Sequence, residues 1–110
     1  MRQIFSLCIN FISLFSFFPF LISKDLELGK EIFLSNCNVC HIIGKNLIIP
    51  EKNLEKETLE INGMNSIDSI IYQVINGKNG MPAFGGRLKE NEIEAVSNYV
   101  IQESLKNFRD

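Results

Sequence analysis

A single histidine, His41, and three cysteines are the only soft ligands beyond methionine in this 110-residue chain. A structural zinc site takes four ligands, usually from two paired clusters, and this chain offers no second cluster. Cys8 stands in the N-terminal apolar stretch, far from the Cys37/Cys40 pair. Basic residues are not in excess either. Eleven Lys and Arg face thirteen Asp and Glu, so the chain lacks the basic patch that nucleic-acid binding requires. Strand-like alternation never persists beyond a few residues, and no internal repeat or low-complexity linker is found. One helical domain is the expectation at this length.

Residues 1 to 23 differ from the rest. Arg2 is the only charge before Lys24, and Ile4 to Ile22 is rich in Phe, Leu and Ile. A short positive start, an apolar middle and a small residue, Ser23, predict a secretory signal peptide over 1–23 and a mature domain over 24–110. The cleavage motif is imperfect, with Leu21 in place of a small residue. A membrane anchor is the rival reading, since the run is about long enough to span a bilayer. Asn10, Ser6, Ser13, Ser16 and Pro19 interrupt it. Removing 1–23 also removes Cys8 and leaves one cysteine pair.

That pair lies in Cys37-Asn38-Val39-Cys40-His41, a C-x-x-C-H segment. It is the attachment signature for c-type haem. Two thiols three positions apart add across the vinyl groups of one haem. The adjoining imidazole of His41 then binds iron. A thioredoxin-like redox pair would need a βαβ context, and the flanking sequence has none. A mature chain of fewer than 90 residues buries a small core and benefits from such an apolar staple.

Four helices are predicted. The first runs from about Asp25 to Ser35, with Leu26, Gly29 and Phe33 roughly on one face. A loop with Gly44 and Pro50 as breakers follows the pentapeptide over Gly44 to Asn53. A short helix covers Leu54 to Ile61. A third starts after Ser66 as N-cap and stops at Asn76-Gly77. The last covers about Glu90 to Ser104, with Lys89 a poor cap. Between the last two, residues 77–86 hold four glycines and one proline, which excludes a regular helix or central strand.

Iron bound by one imidazole has a sixth position. With no second histidine, methionine is the usual ligand. Met64 and Met81 are the choices outside the signal segment. A glycine-rich loop brings backbone close to a porphyrin, and Pro82 stiffens the following turn, so Met81 is favoured over Met64. A six-coordinate iron implies one-electron transfer.

The mature chain resembles cytochrome c6, the small electron carriers of algae and cyanobacteria. The resemblance rests on Gly29 to Phe33, Cys37 to His41, Val74 to Asn79, and above all Met81-Pro82-Ala83-Phe84-Gly85-Gly86-Arg87-Leu88. It implies an all-α class I cytochrome c fold, about four helices around one covalently attached haem c. Cys37 and Cys40 would carry the haem, with His41 and Met81 as axial ligands. Gln73 matches a glutamine that tunes the haem edge, and Arg87 an arginine of docking or haem-edge electrostatics. Gly29 and Phe33 would pack near Tyr99 where the first and last helices cross. Gly80 stands where the family often has alanine, which predicts a looser loop. The resemblance further implies a non-enzymatic carrier, with cytochrome f of the cytochrome b6-f complex as donor and photosystem I as acceptor. Docking on those membrane complexes would be transient. The compartment would be the thylakoid lumen, of a red-algal type of plastid or of a cyanobacterium. A respiratory carrier serving a terminal oxidase, and a haem sensor or peroxidase-like protein that releases Met81, are the competing readings.

Overall fold

The computed structural model describes residues 25–109. The expected signal segment therefore lies outside the described residues. Among the described residues the architecture is helical, with no strand beyond two isolated bridges, Lys78 to Met81 and Gly85 to Leu88. No helix among the described residues is long and apolar enough to cross a membrane.

Helix α1 occupies 25–36, and one further turn, α2 (Asn38–His41), follows after a break at Cys37. Two 3-10 turns follow, Ile42–Gly44 at the entry to the Gly44–Asn53 loop and Pro50–Lys52 within it. Helices α3 (Lys56–Ile61), α4 (Ile67–Asn76) and α5 (Glu90–Ser104) complete the fold. Ser66 caps α4 as its residue type predicts: its Oγ accepts the Ser69 N–H at 3.2 Å.

Helix α5 starts better than its Lys89 cap suggested. The Glu92 carboxylate, one turn in, reaches back and accepts the Lys89 N–H at 2.8 Å. This is half of a capping box, supplied from the third helical position.

The core forms where α4 crosses α5. Ile70 and Val74 meet Ile93, Val96 and Val100, with Phe33 of α1, Leu59 of α3 and Phe84 of the glycine-rich loop closing the cluster. Val96 is 1% exposed, and full burial of a valine contributes roughly 1.5–3 kcal/mol. Helix α1 rests on α5 at Gly29, whose missing Cβ would stand 2.7 Å from the Tyr99 Cβ. Phe33 and Tyr99 rings lie 5.5 Å apart at the same crossing.

Candidate functional site

The segment 37–41 continues α1 as a helical turn. The N–H of Cys40 and of His41 both donate to the Cys37 carbonyl, at 3.1 and 2.9 Å. The turn brings Cys37, Cys40 and His41 to the wall of one cavity of about 360 Å³, within the range of small-molecule and cofactor pockets, roughly 300–1,000 Å³. Both thiols are free. Burial, and then the neighbouring Cys40, push the Cys37 thiol up to about 11.

His41 is held at one nitrogen. Its Nδ1 lies 2.9 Å from the Lys45 carbonyl oxygen. A carbonyl only accepts, so Nδ1 carries the proton and Nε2 keeps its lone pair. Burial holds the His41 pKa below the ordinary range, partly offset by that same hydrogen bond. Burial thus favours the neutral imidazole, whose Nε2 is free to coordinate a metal.

Met81 lines the same cavity, on a loop pinned at several points. Lys78 and Met81 exchange two backbone hydrogen bonds, both 3.0 Å. Asn79 and Gly80 between them have φ of 45° and 92°. Two positive φ values in succession mark a type I′ turn, for which Asn-Gly is the preferred pair. Gly80 therefore tightens this loop where the sequence suggested loosening. Further along, the Phe84 and Gly85 N–H groups donate to the Val74 and Ile75 carbonyls at 2.8 and 3.1 Å, docking the loop on the end of α4.

Gln73 joins the cavity wall from α4. Arg87 is not part of that wall. It lies outside, its guanidinium carbon 4.8 Å from the centre of the Phe84 ring, and Phe84 is itself a wall residue. Met64 also lines the cavity, so position alone does not separate it from Met81. They differ in setting: Met81 closes a two-bond turn, while Met64 follows α3 with its N–H on the Leu59 carbonyl at 2.7 Å.

The sequence reading missed Asn46. Its Oδ1 accepts the N–H of Ile48 and of Ile49, at 3.0 and 2.8 Å, while its Nδ2 donates to the Lys52 carbonyl at 3.0 Å. It shapes the loop that carries Ile48 and Ile49 into the cavity wall. An asparagine directly before an apolar run, able to bond the backbone two residues on, is the signal that an Asx turn offers.

Residues 24–100 match the family model described as cytochrome C oxidase, cbb3-type, subunit III. Cytochrome c6 of Bumilleriopsis filiformis is 58% identical over 80 residues, which are 73% of this chain and 93% of that protein. Cytochrome c6 of Petalonia fascia is 56% identical over 84 residues, 76% of this chain and 99% of that one. The solved cytochrome c6 of the diatom Phaeodactylum tricornutum is 48% identical, with a TM-score of 0.72, covering 74% of this chain and 97% of its own.

The chain belongs to the cytochrome c6 family.

As a member of this family it has the class I c-type cytochrome fold, carries one covalently bound haem c and acts as an electron carrier in photosynthesis. The site described above fits that group. It offers two free thiols, an imidazole with one nitrogen unengaged, a thioether and a mostly apolar wall around one cavity.

Proposed function

We infer that this chain carries single electrons from cytochrome f to photosystem I in the thylakoid lumen. In this reading Cys37 and Cys40 hold the haem through thioethers, and His41 and Met81 are its axial ligands. The observation that carries it is the meeting of His41, its Nδ1 already tied to Lys45, and Met81 in one cavity. Bound there, haem c supplies a one-electron ferric/ferrous couple. The chain's own residues do the rest. The Lys45 carbonyl fixes the imidazole tautomer, and Gln73 addresses the Met81 sulfur from 3.8 Å. Phe33, Leu59 and Phe84 exclude water from the wall. Held by His41 and Met81 together, the iron would offer no open position to a substrate.

Residues 1–23 are proposed to direct export and to be removed. Export agrees with thioether formation outside the cytoplasm. A composition rich in isoleucine, asparagine and lysine supports a plastid of the red-algal type over a cyanobacterial source.

The test is flash-induced oxidation of photosystem I followed by re-reduction in the presence of the purified holoprotein. Re-reduction that depends on protein concentration supports the reading. The respiratory alternative has one observation in its favour, the oxidase-subunit description of the matching family model. It prevails if the protein leaves photosystem I oxidised at every ionic strength and serves a terminal oxidase.

A further inference from the structure

The turn that follows His41 is folded against its own preference. Ile43 has φ 47° and ψ 36°, the left-handed region, which is costly for a β-branched residue. Its side chain is 65% exposed, so burial does not offset the cost. Gly44 continues with φ 78°. These two left-handed residues reverse the chain and turn the Lys45 carbonyl onto His41 Nδ1 at 2.9 Å. A strained turn persists only where its surroundings hold it.

Two side chains from distant parts of the sequence do the holding. Phe108 follows α5, and its ring covers Gly44 so closely that a Cβ there would stand 2.8 Å from the Phe108 Cγ. Phe108 is itself fixed. Its ring lies 5.6 Å from Phe33, and its N–H donates to the Glu103 carbonyl at 2.8 Å. The preceding Asn107 accepts the Lys56 N–H at 3.0 Å, tying this turn to the start of α3. On the other side, Glu55 takes the Lys45 ammonium at 2.7 Å. Gly44 is also anchored through its carbonyl, which accepts the Leu54 N–H at 2.7 Å.

We propose that Phe108 and Glu55 are positioning residues for the axial imidazole: together they clamp the strained Ile43–Lys45 turn so that the Lys45 carbonyl holds His41 in one tautomer and one orientation. The proposal rests on the reading of His41 as an iron ligand. A hydrogen bond from the far nitrogen of a ligating imidazole raises its basicity, and a more basic ligand favours ferric iron. Loosening the clamp weakens that bond and shifts the reduction potential upward.

The experiment uses the ferrous holoprotein. NMR follows solvent exchange of the His41 Nδ1 proton and, as a control, of the Val96 backbone amide in the core. Redox titration gives the potential. In Phe108→Ala the His41 proton should exchange at least about tenfold faster relative to Val96, with the potential shifted upward. Phe108→Tyr should restore both. In Glu55→Gln the His41 proton should also exchange faster, with Val96 unchanged. That arm reads exchange alone, because removing a charge shifts the potential by itself, and it stands even if Phe108→Ala fails to fold. The proposal is overturned if the His41 proton speeds up only as much as Val96 in Phe108→Ala, or if Glu55→Gln leaves its exchange unchanged. If wild-type His41 shows no ring-current shift from a bound haem, the ligand reading itself falls and takes the clamp with it.

Discussion

Gln73 Nε2 lies 3.8 Å from Met81 Sδ, so the amide of α4 points its positive end at the thioether of the glycine-rich loop. A thioether is a weak acceptor, and a donor on it draws electron density from the sulfur. Both effects make the sulfur a poorer partner for ferric iron. The same contact also ties the loop to α4 at Met81, the proposed second axial ligand.

Replacing Gln73 by leucine should therefore lower the reduction potential. A hydrogen bond of roughly 1 kcal/mol corresponds to about 40 mV for one electron. Redox titration of the two holoproteins measures it. A potential that stays put or rises would contradict the role given to the amide.

Met81→Ala should abolish the weak near-red absorption of sulfur-ligated ferric haem and let carbon monoxide bind the ferrous protein. Met64→Leu should do neither, although Met64 lines the same cavity. Optical spectra with and without carbon monoxide decide between them. Ready binding to the wild-type protein at neutral pH would instead favour the sensor or peroxidase-like reading.

Gly29→Ala tests the crossing of α1 and α5. Alanine is the better helix former by about 1 kcal/mol, so the substitution would stabilise an open helix. Here the new methyl meets the Ala95 carbonyl carbon at 2.9 Å and the Tyr99 Cβ at 2.7 Å. Overpacking of this kind costs about 1–3 kcal/mol. A lower denaturation midpoint with an unchanged slope is the expected result. A higher midpoint would mean that the helices separate at little cost.

The helices were legible because their signals are local. Ser66 before an apolar face announces α4, and the glutamates at 90 and 92 announce α5. The pentapeptide and the loop around Met81 were legible for the same reason, each being a contiguous segment with its own chemistry. What stayed hidden depends on pairs far apart in sequence or on backbone atoms. A carbonyl has no residue signature, so Lys45 could not be singled out as the partner of His41. Phe108 reaches Gly44 from beyond the end of α5, a contact between distant residues with no local signature. Gly80 departs from its sequence expectation because a glycine loosens an open loop but completes a two-bond turn when asparagine precedes it.

Tyr99 offers a pH test away from the haem. Burial first, and then the charge and hydrogen bond of Glu103, raise its pKa above the ordinary tyrosine value. The phenol Oη donates to Glu103 Oε1 at 3.4 Å. A raised acid pKa means that the fold holds the proton longer than the unfolded chain. The stability contributed is intact below the unfolded value and is lost as pH rises through the folded one. NMR titration of the tyrosine rings should show Glu103→Gln bringing Tyr99 part of the way down, with burial keeping the remainder. A full return to the ordinary value would remove burial as the main cause.

Arg87 is the candidate docking charge, and its geometry shapes what its loss should do. The guanidinium sits 4.8 Å over the Phe84 ring, on the outer side of a residue whose ring forms part of the cavity wall. It is solvent-exposed, so it carries a charge near the haem site without contacting the cavity. Charges at the rim of an interface change association rate and salt dependence more than they change the complex once formed. Arg87→Glu should thus leave the haem spectrum intact and slow the second-order re-reduction of photosystem I at low salt. The difference from wild type should shrink as ionic strength rises and screening shortens the reach of the charge. The cation–π contact on Phe84 contributes about 0.5–1 kcal/mol at an exposed site, so Arg87→Gln serves as the control that loses the stacking without reversing the charge. If Arg87→Gln and Arg87→Glu slow the reaction equally at every salt concentration, Arg87 acts by holding Phe84 rather than by steering. If neither changes the rate, Arg87 is an ordinary surface arginine and the docking charge lies elsewhere on the rim.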